Sequence, residues 1–126
     1  MSHKQVIVLR KDLNMRKGKM VAQGAHASMA AILNLGHRDG ESFVVPLDAR
    51  IEPWLSGRFK KICVSVDSED QLLALYEKAK SDGVVCSLIQ DSGLTEFAGV
   101  LTYTAVAIGP DLEEVVDRYT SALKLL

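Results

Sequence analysis

The sequence predicts an α/β domain in which helices flank a mixed four-stranded sheet. Four short apolar runs, bounded by charged or turn-forming residues, have the pattern of strands: residues 6–9, 61–66, 84–90 and 102–108. A helical pattern lies between the second and third runs, which is typical of a parallel β-α-β unit. Residues 91–101, between the third and fourth runs, carry no such pattern. The sheet is therefore expected to contain both parallel and antiparallel pairs.

The first and last helices are predicted from composition and from their termini. The residues after the first strand are rich in Ala and Met, which favours a helix that continues to Leu35. Pro110 and Asp111 stand where a helix commonly begins, and apolar residues at helical spacing follow as far as Leu123. We therefore expect Pro110 and Asp111 to cap the last helix.

The middle of the chain contains a long connection and a well-marked helix. Residues 36–57 mix Gly, Pro and charge with apolar side chains, so we expect a connection that is partly helical near Trp54 and packs its aromatic residues on the domain. Ser68 and Gln71 have the spacing of a capping box at the start of the next helix. Gly83 is expected to end that helix.

The composition is that of an ordinary globular domain. Residues 1–126, of which 48% are hydrophobic and 25% charged, are expected to form one domain with a buried core. No apolar run approaches the roughly 18 residues that a membrane-spanning helix needs, and the first residues lack the apolar segment of a signal peptide. Cys63 and Cys86 each lie in an apolar run, which predicts small buried side chains with free thiols and a cytoplasmic location.

The charge of the chain is small but unevenly distributed. The net charge is −1, which does not indicate general affinity for nucleic acid. Residues 1–19 nevertheless hold six Lys or Arg residues against one acid, whereas acidic residues gather in the later helices. Such a chain can bind phosphate at one basic face. The alternative is that these charges form only a solvated rim.

A basic turn joins the first strand to the first helix. Arg16, Lys17 and Lys19 surround Gly18, which is expected to let the backbone turn and to leave the first N–H groups of the helix uncovered. A helix N-terminus with adjacent cations is suited to binding an anion. The spacing is neither that of a P-loop nor that of a dinucleotide-binding motif. Ordinary surface lysines at a helix start remain an equal alternative.

Two further polar residues follow Lys19 on the same predicted helix. At helical spacing Lys19, Gln23 and His26 lie on one face. This face would present a cation, an amide and an imidazole above the basic turn, as a phosphate-bearing substrate requires. His26 has no second His or Cys at metal-ligand spacing, so a hydrogen-bonded structural histidine is the alternative to a functional one.

A second group of polar residues follows the third strand. Ligands of open α/β sheets bind beyond the carboxyl ends of strands, and Asp91 and Thr95 lie beyond the third strand as Lys19 lies beyond the first. If these strands are parallel, a lysine, a carboxylate and a hydroxyl converge, and such a group can orient water and stabilise an oxyanion. The alternative is that Asp91 only bonds backbone N–H groups in the turn before Gly93.

Several separated motifs, in order, resemble the second, archaeal and eukaryotic type of peptidyl-tRNA hydrolase. The resemblance extends over nearly the whole chain. It is carried by Val6–Leu13, Met15–Lys19, Ala22–Gln23, His26–Ala27, Trp54, Lys61–Ile62, Ser87–Gly93, Thr95, Ala107–Pro110 and Leu123–Leu126. Ser92 stands where the family usually has alanine, and the Pro-Gly that commonly precedes the fourth strand is absent.

The resemblance implies a mixed four-stranded sheet, a homodimer and hydrolysis of the ester between a peptide and the 3′ ribose of tRNA, without cofactor or metal. It implies that Lys19, Asp91 and Thr95 are the catalytic residues. Arg16, Lys17, Gly18, Gln23 and His26 are assigned to substrate binding, the last two by their match to the family's helix glutamine and histidine. Two other functions remain open at this point, a non-catalytic RNA- or nucleotide-binding module on the same fold and an esterase for a smaller aminoacyl substrate.

Overall fold

The computed structural model describes residues 2–126 as one mixed sheet of five strands, a separate two-stranded hairpin and four helices. In chain order the elements are β1 (His3–Arg10), α1 (Lys17–Leu33), β2 (His37–Asp39), β3 (Ser42–Val44), α2 (Glu52–Ser56), β4 (Lys61–Val66), α3 (Glu69–Ser81), β5 (Cys86–Asp91), β6 (Thr102–Leu112), α4 (Glu113–Thr120) and β7 (Lys124–Leu125).

The main sheet has the strand order β5-β6-β1-β4-β7. The pair β1–β4 is parallel, and the pairs β1–β6, β5–β6 and β4–β7 are antiparallel, so the predicted mixed sheet is confirmed. The four predicted strands correspond to β1, β4, β5 and β6. The fifth, β7, pairs with Val64 and Ser65 of β4. Its two residues are too few to show an alternating pattern, so this strand is not predictable from the sequence.

The two faces of the sheet carry separate apolar cores. Val6 and Val8 of β1 lie in the core covered by α3 and α4. Ile7 and Leu9 lie on the other face, beneath α1. This alternation follows from the period of two residues in a strand. Because β1 is central and covered on both sides, it reads as a continuous apolar run.

The connection after α1 is more structured than its sequence suggests. The helix ends at Leu33 rather than at Leu35, and the segment that follows forms the β2–β3 hairpin and then α2. Trp54 is buried as expected, and its indole N–H donates to the carbonyl oxygen of Lys60 at 2.8 Å. Phe43, however, is half exposed on the hairpin, so the expectation that the aromatic residues here pack on the domain is wrong for that residue.

The helix boundaries agree at α3 and differ at α4. The Ser68 hydroxyl accepts a hydrogen bond from the Gln71 N–H at 3.1 Å, and Gly83, with φ +76°, follows the end of α3 as predicted. The predicted cap of the last helix is wrong, because β6 continues through Pro110 and Asp111 and stays paired with β1. Helix α4 therefore begins at Glu113, and it ends at Thr120 rather than at Leu123.

One prediction of burial also fails. Both thiols are free, but Cys63 is exposed and Cys86 is only partly buried. Cys63 pairs with Ile7 and lies on the same face of the sheet as α1. It is exposed because α1 packs on β1, β5 and β6 and leaves β4 uncovered. In residues 2–126 no helix is both long enough and apolar enough to cross a membrane.

Candidate active site

The carboxyl ends of β1 and β5 lie at the same edge of the sheet. Both strands are antiparallel to β6, which lies between them, so they are parallel to each other. The first turn of α1 follows β1, and the loop of residues 92–101 follows β5. This topology brings Lys19 of α1 next to Asp91, the last residue of β5.

A lysine, a carboxylate and a hydroxyl meet at this edge. The Lys19 ammonium donates to Asp91 Oδ1 at 3.1 Å and to Thr95 Oγ1 at 2.6 Å. The side chains of Lys19 and Asp91 are only 12% and 13% exposed, so this ion pair is shielded from solvent. The structure therefore brings together the three residues to which the sequence assigns catalysis.

Gln23 lies beneath the carboxylate rather than at the surface. Its side chain is buried, and its amide nitrogen donates to Asp91 Oδ1 at 3.2 Å. The amide oxygen accepts a hydrogen bond from the hydroxyl of Thr104, a fully buried residue of β6. Because that hydroxyl bonds to the amide oxygen, the amide nitrogen is directed at Asp91. Sequence reasoning does not identify Thr104, because threonine is a common residue in strands rich in β-branched side chains.

The Asp91 carboxylate also closes the turn that follows it. Oδ2 accepts the Gly93 N–H at 2.8 Å, so the turn role considered as an alternative for Asp91 coexists with the contact to Lys19. Gly93 has φ +82°, and a Cβ atom there would lie 2.2 Å from the carbonyl oxygen of Val100. Only glycine fits this position. The turn residue therefore fixes where the loop bearing Thr95 leaves the strand.

The surroundings keep Asp91 ionised. Burial raises the pKa of its carboxyl, but hydrogen bonds from the Gly93 N–H, Lys19 and Gln23, together with the charge of Lys19, outweigh burial. The resulting pKa lies below the ordinary value of 3.8. Asp91 is thus a fixed negative charge at neutral pH.

The loop that carries Thr95 is fastened to the start of α1. Glu96 accepts a hydrogen bond from Arg16 Nε at 2.9 Å and a longer one from the Arg16 N–H at 3.4 Å. The ring of Phe97 lies 5.5 Å from the Lys19 ammonium. The Arg16 side chain remains 83% exposed beyond this contact. Arg16 therefore faces solvent next to Lys19 while holding the loop.

The remaining predicted binding residues lie on exposed surface. Lys17 and Gly18 occupy the first turn of α1, which contains no acidic residue, and no side chain caps its N-terminus. The expectation that Gly18 makes the turn is wrong. Gly18 lies inside α1, and the turn comes earlier, where Asn14 has φ +52°. His26 is exposed on α1, one turn beyond Gln23.

This arrangement has a defined chemical capacity. The ammonium of Lys19 can stabilise negative charge that develops on a carbonyl oxygen, and the Asp91 carboxylate can orient a water molecule. Within residues 2–126 no three His, Cys, Asp or Glu side chains come together as a metal site. The fold and the site together define an α/β protein in which a lysine, a carboxylate and a hydroxyl form a centre suited to hydrolysis.

The family of the chain follows from comparison with known sequences. The model of a family described as "Peptidyl-tRNA hydrolase PTH2" matches residues 3–126. The chain therefore belongs to this family of peptidyl-tRNA hydrolases. The resemblance inferred from the separated motifs is thereby confirmed, and the match covers the basic turn and the residues Lys19, Asp91 and Thr95.

Curated relatives of similar length support the same conclusion. A peptidyl-tRNA hydrolase of Methanocaldococcus jannaschii is 44% identical over 98% of this chain and 99% of its own length. One from Methanopyrus kandleri is 43% identical over 98% of each chain. One from Haloquadratum walsbyi is 39% identical over 97% of this chain and 98% of its own length.

The hydrogen-bond chain from Thr104 to Asp91 predicts a change in acid–base behaviour. In Thr104→Val the Gln23 amide is no longer oriented, so its donation to Asp91 weakens and the pKa of Asp91 should rise. The acid limb of kcat/KM should then move to higher pH, since the ionised carboxylate is lost earlier on acidification. Titration of the Asp91 carboxyl by NMR measures the same change directly.

Thr102→Val is the matched control for this prediction. The Thr102 hydroxyl bonds only to the carbonyl oxygen of Val100, at 2.8 Å. Its removal should leave the pKa of Asp91 unchanged. Equal pKa values for Asp91 in the two variants would contradict the role of Thr104.

Proposed function

We propose that this chain hydrolyses the ester bond between a peptide, or an N-blocked amino acid, and the 3′ ribose of tRNA. The single observation that carries the proposal is the contact of Lys19 with both Asp91 and Thr95 at a shielded sheet edge, in a chain that belongs to this family. The relatives named peptidyl-tRNA hydrolase align with it over nearly their whole length. The reaction is proposed to take place in the cytoplasm, on products of translation.

Lys19 and Asp91 have complementary roles in the proposed reaction. The Lys19 ammonium would hold the oxyanion that forms when water attacks the ester carbonyl, because a charge in a shielded site stabilises it more than water does. Asp91 would orient the attacking water. A carboxyl with a lowered pKa is a weak base, so positioning and charge contribute more from Asp91 than proton abstraction does.

Thr95 and the basic turn would hold the substrate. The Thr95 hydroxyl accepts a hydrogen bond from Lys19, so its own proton is free to be donated to the water or to the terminal ribose. Arg16, Lys17 and the uncapped N-terminus of α1 would bind phosphates near the acceptor end. His26 would extend this binding surface by one helical turn. Gln23 would act on the substrate through Asp91.

The first prediction from this proposal concerns Asp91→Asn. This variant keeps the size of the side chain and removes its charge, so turnover of N-acetyl-aminoacyl-tRNA should fall by about 10²–10⁴-fold. The wild type should cleave N-acetyl-aminoacyl-tRNA in preference to free aminoacyl-tRNA. Turnover of the variant close to that of the wild type would overturn the assignment of Asp91, and binding of tRNA without any hydrolysis by the wild type would favour the non-catalytic RNA-binding module.

The second prediction separates two lysines of the same helical turn. Lys19→Met should lower kcat, because Lys19 meets the developing charge. Lys17→Met should instead raise KM and reduce the slope of log KM against log salt by about one, as expected for one lost phosphate contact. Steady-state kinetics over a salt series measures both. The two roles would be refuted by identical kinetic effects of the two variants.

We also propose that the chain forms a symmetric homodimer through the open side of α1. A cavity of about 520 Å³ lies beside this helix, and its walls are largely apolar. They include Ile7, Leu9, Met20, Val21, Gly24, Ala25, Cys63 and Leu126. Val21 and Leu126 are 72% and 48% exposed on this surface. A contiguous apolar patch of this kind is typical of a protein interface, and a two-fold axis would bury it on both copies.

The oligomeric state is tested by sedimentation over a dilution series. The wild type should sediment as a dimer, and Val21→Glu should dissociate it because two carboxylates would be buried at the axis. Phe43→Glu, on the β2–β3 hairpin, is the matched control and should leave the dimer intact. A single species at the monomer mass of 13.8 kDa with full activity would rule the dimer out.

A further inference from the structure

A cavity lies at the carboxyl end of β4, away from the catalytic group. Its volume is about 570 Å³. Lys11, Lys78 and Lys124 contribute to its lining from three different elements, the segment after β1, helix α3 and strand β7. Apolar side chains, Val66, Leu75 and Leu123 among them, complete the lining. The fold thus gathers three cations, distant in sequence, around one concave surface.

These three lysines are not used by the fold as ion pairs. Lys4, Lys19 and Lys60 each have a carboxylate partner within 4 Å. Among residues 2–126 no such partner is found for Lys11, Lys78 or Lys124. Asp67 also lines the cavity, so the lining carries three positive charges against one negative charge. A chain with a net charge of −1 therefore concentrates unpaired positive charge here.

The cavity lies at the same edge of the sheet as Asp91. The Lys11 N–H bonds to the carbonyl oxygen of Val66 at the end of β4, at 2.8 Å. Three strand spacings separate β4 from β5 in the sheet, and the cavity lies on the face covered by α3, opposite to the face covered by α1. Residues 11–19 connect the two places, and exposed Arg16 and Lys17 lie on this connection. A basic track therefore leads from the cavity to the catalytic lysine.

We propose that Lys11, Lys78 and Lys124 bind backbone phosphates of the tRNA acceptor stem while the esterified 3′ end lies at Asp91. The inference rests on the proposed function and adds a second anchoring point for the same substrate. The acceptor stem directly adjoins the esterified 3′ end, so it is the part of the tRNA that the basic track from Asp91 to the cavity would follow. Lysine suits the site, since an ammonium binds phosphate as a point charge.

The test measures binding of uncharged tRNA by fluorescence anisotropy, which does not depend on hydrolysis. Lys11→Met, Lys78→Met and Lys124→Met should each weaken binding at low salt. Because one ionic contact is lost, the ratio of variant to wild-type Kd should shrink about threefold between 50 and 200 mM salt. The kcat for N-acetyl-aminoacyl-tRNA should remain that of the wild type, which also shows that the variants are folded.

Lys80→Met is the matched control, since Lys80 lies on α3, near the Tyr76 ring, and is outside the cavity lining. Its Kd and salt dependence should equal those of the wild type. A minihelix that contains only the acceptor stem should show the same losses as whole tRNA. The proposal is overturned if the cavity variants bind like Lys80→Met, or if their losses appear with whole tRNA and not with the minihelix. Absence of hydrolysis by a wild type that binds tRNA normally would instead count against the proposed function alone.

Discussion

The carboxylate of Asp91 is the group through which the functional edge of this protein is held together. One oxygen accepts from Lys19 and Gln23 of α1, and the other accepts from the Gly93 N–H in the following loop. Helix, strand and loop are therefore joined at one shielded charge. Removing a donor leaves part of that charge uncompensated, which costs more than a neutral hydrogen bond does. The same contacts that order the edge also set the ionisation state of its central residue.

A locally basic edge on a nearly neutral chain has consequences for a polyanionic substrate. Lys19 is neutralised by Asp91, and Arg16 is partly engaged by Glu96, whereas Lys17 has no such partner among the described residues. The charges of Lys19 and Asp91 therefore compensate each other within the site, whereas Lys17 is available to bind a phosphate of the substrate. The proposed function in this way assigns affinity and catalysis to different residues. Ionic strength should then act mainly on substrate binding, because salt screens exposed charges such as Lys17 much more than the buried ion pair of Lys19 and Asp91.

The sequence predicts the local features of this fold better than those that depend on distant partners. The strand runs, the Ser68 cap and the Gly83 stop depend on nearby residues and were found. β7 and the start of α4 were not, because each depends on pairing with a strand far away in the chain. The convergence of Lys19 and Asp91 followed from topology and resemblance. Thr104 could not be predicted, because its role depends on the side-chain amide of Gln23, which only the folded chain places beside it.

The hydrogen bonds of the site constrain which atoms remain for the substrate. Lys19 already donates to Asp91 and Thr95, so its ammonium has one further N–H for an oxyanion. Thr95 accepts from Lys19, which leaves its own proton to be donated. In the proposed reaction the ester carbonyl would therefore meet the third N–H of Lys19, and the Thr95 proton would meet the water or the ribose. A chain in which Arg replaced Lys19 would keep the charge but not this geometry, because the N–H donors of a guanidinium lie in one plane and cannot reproduce the tetrahedral directions of an ammonium.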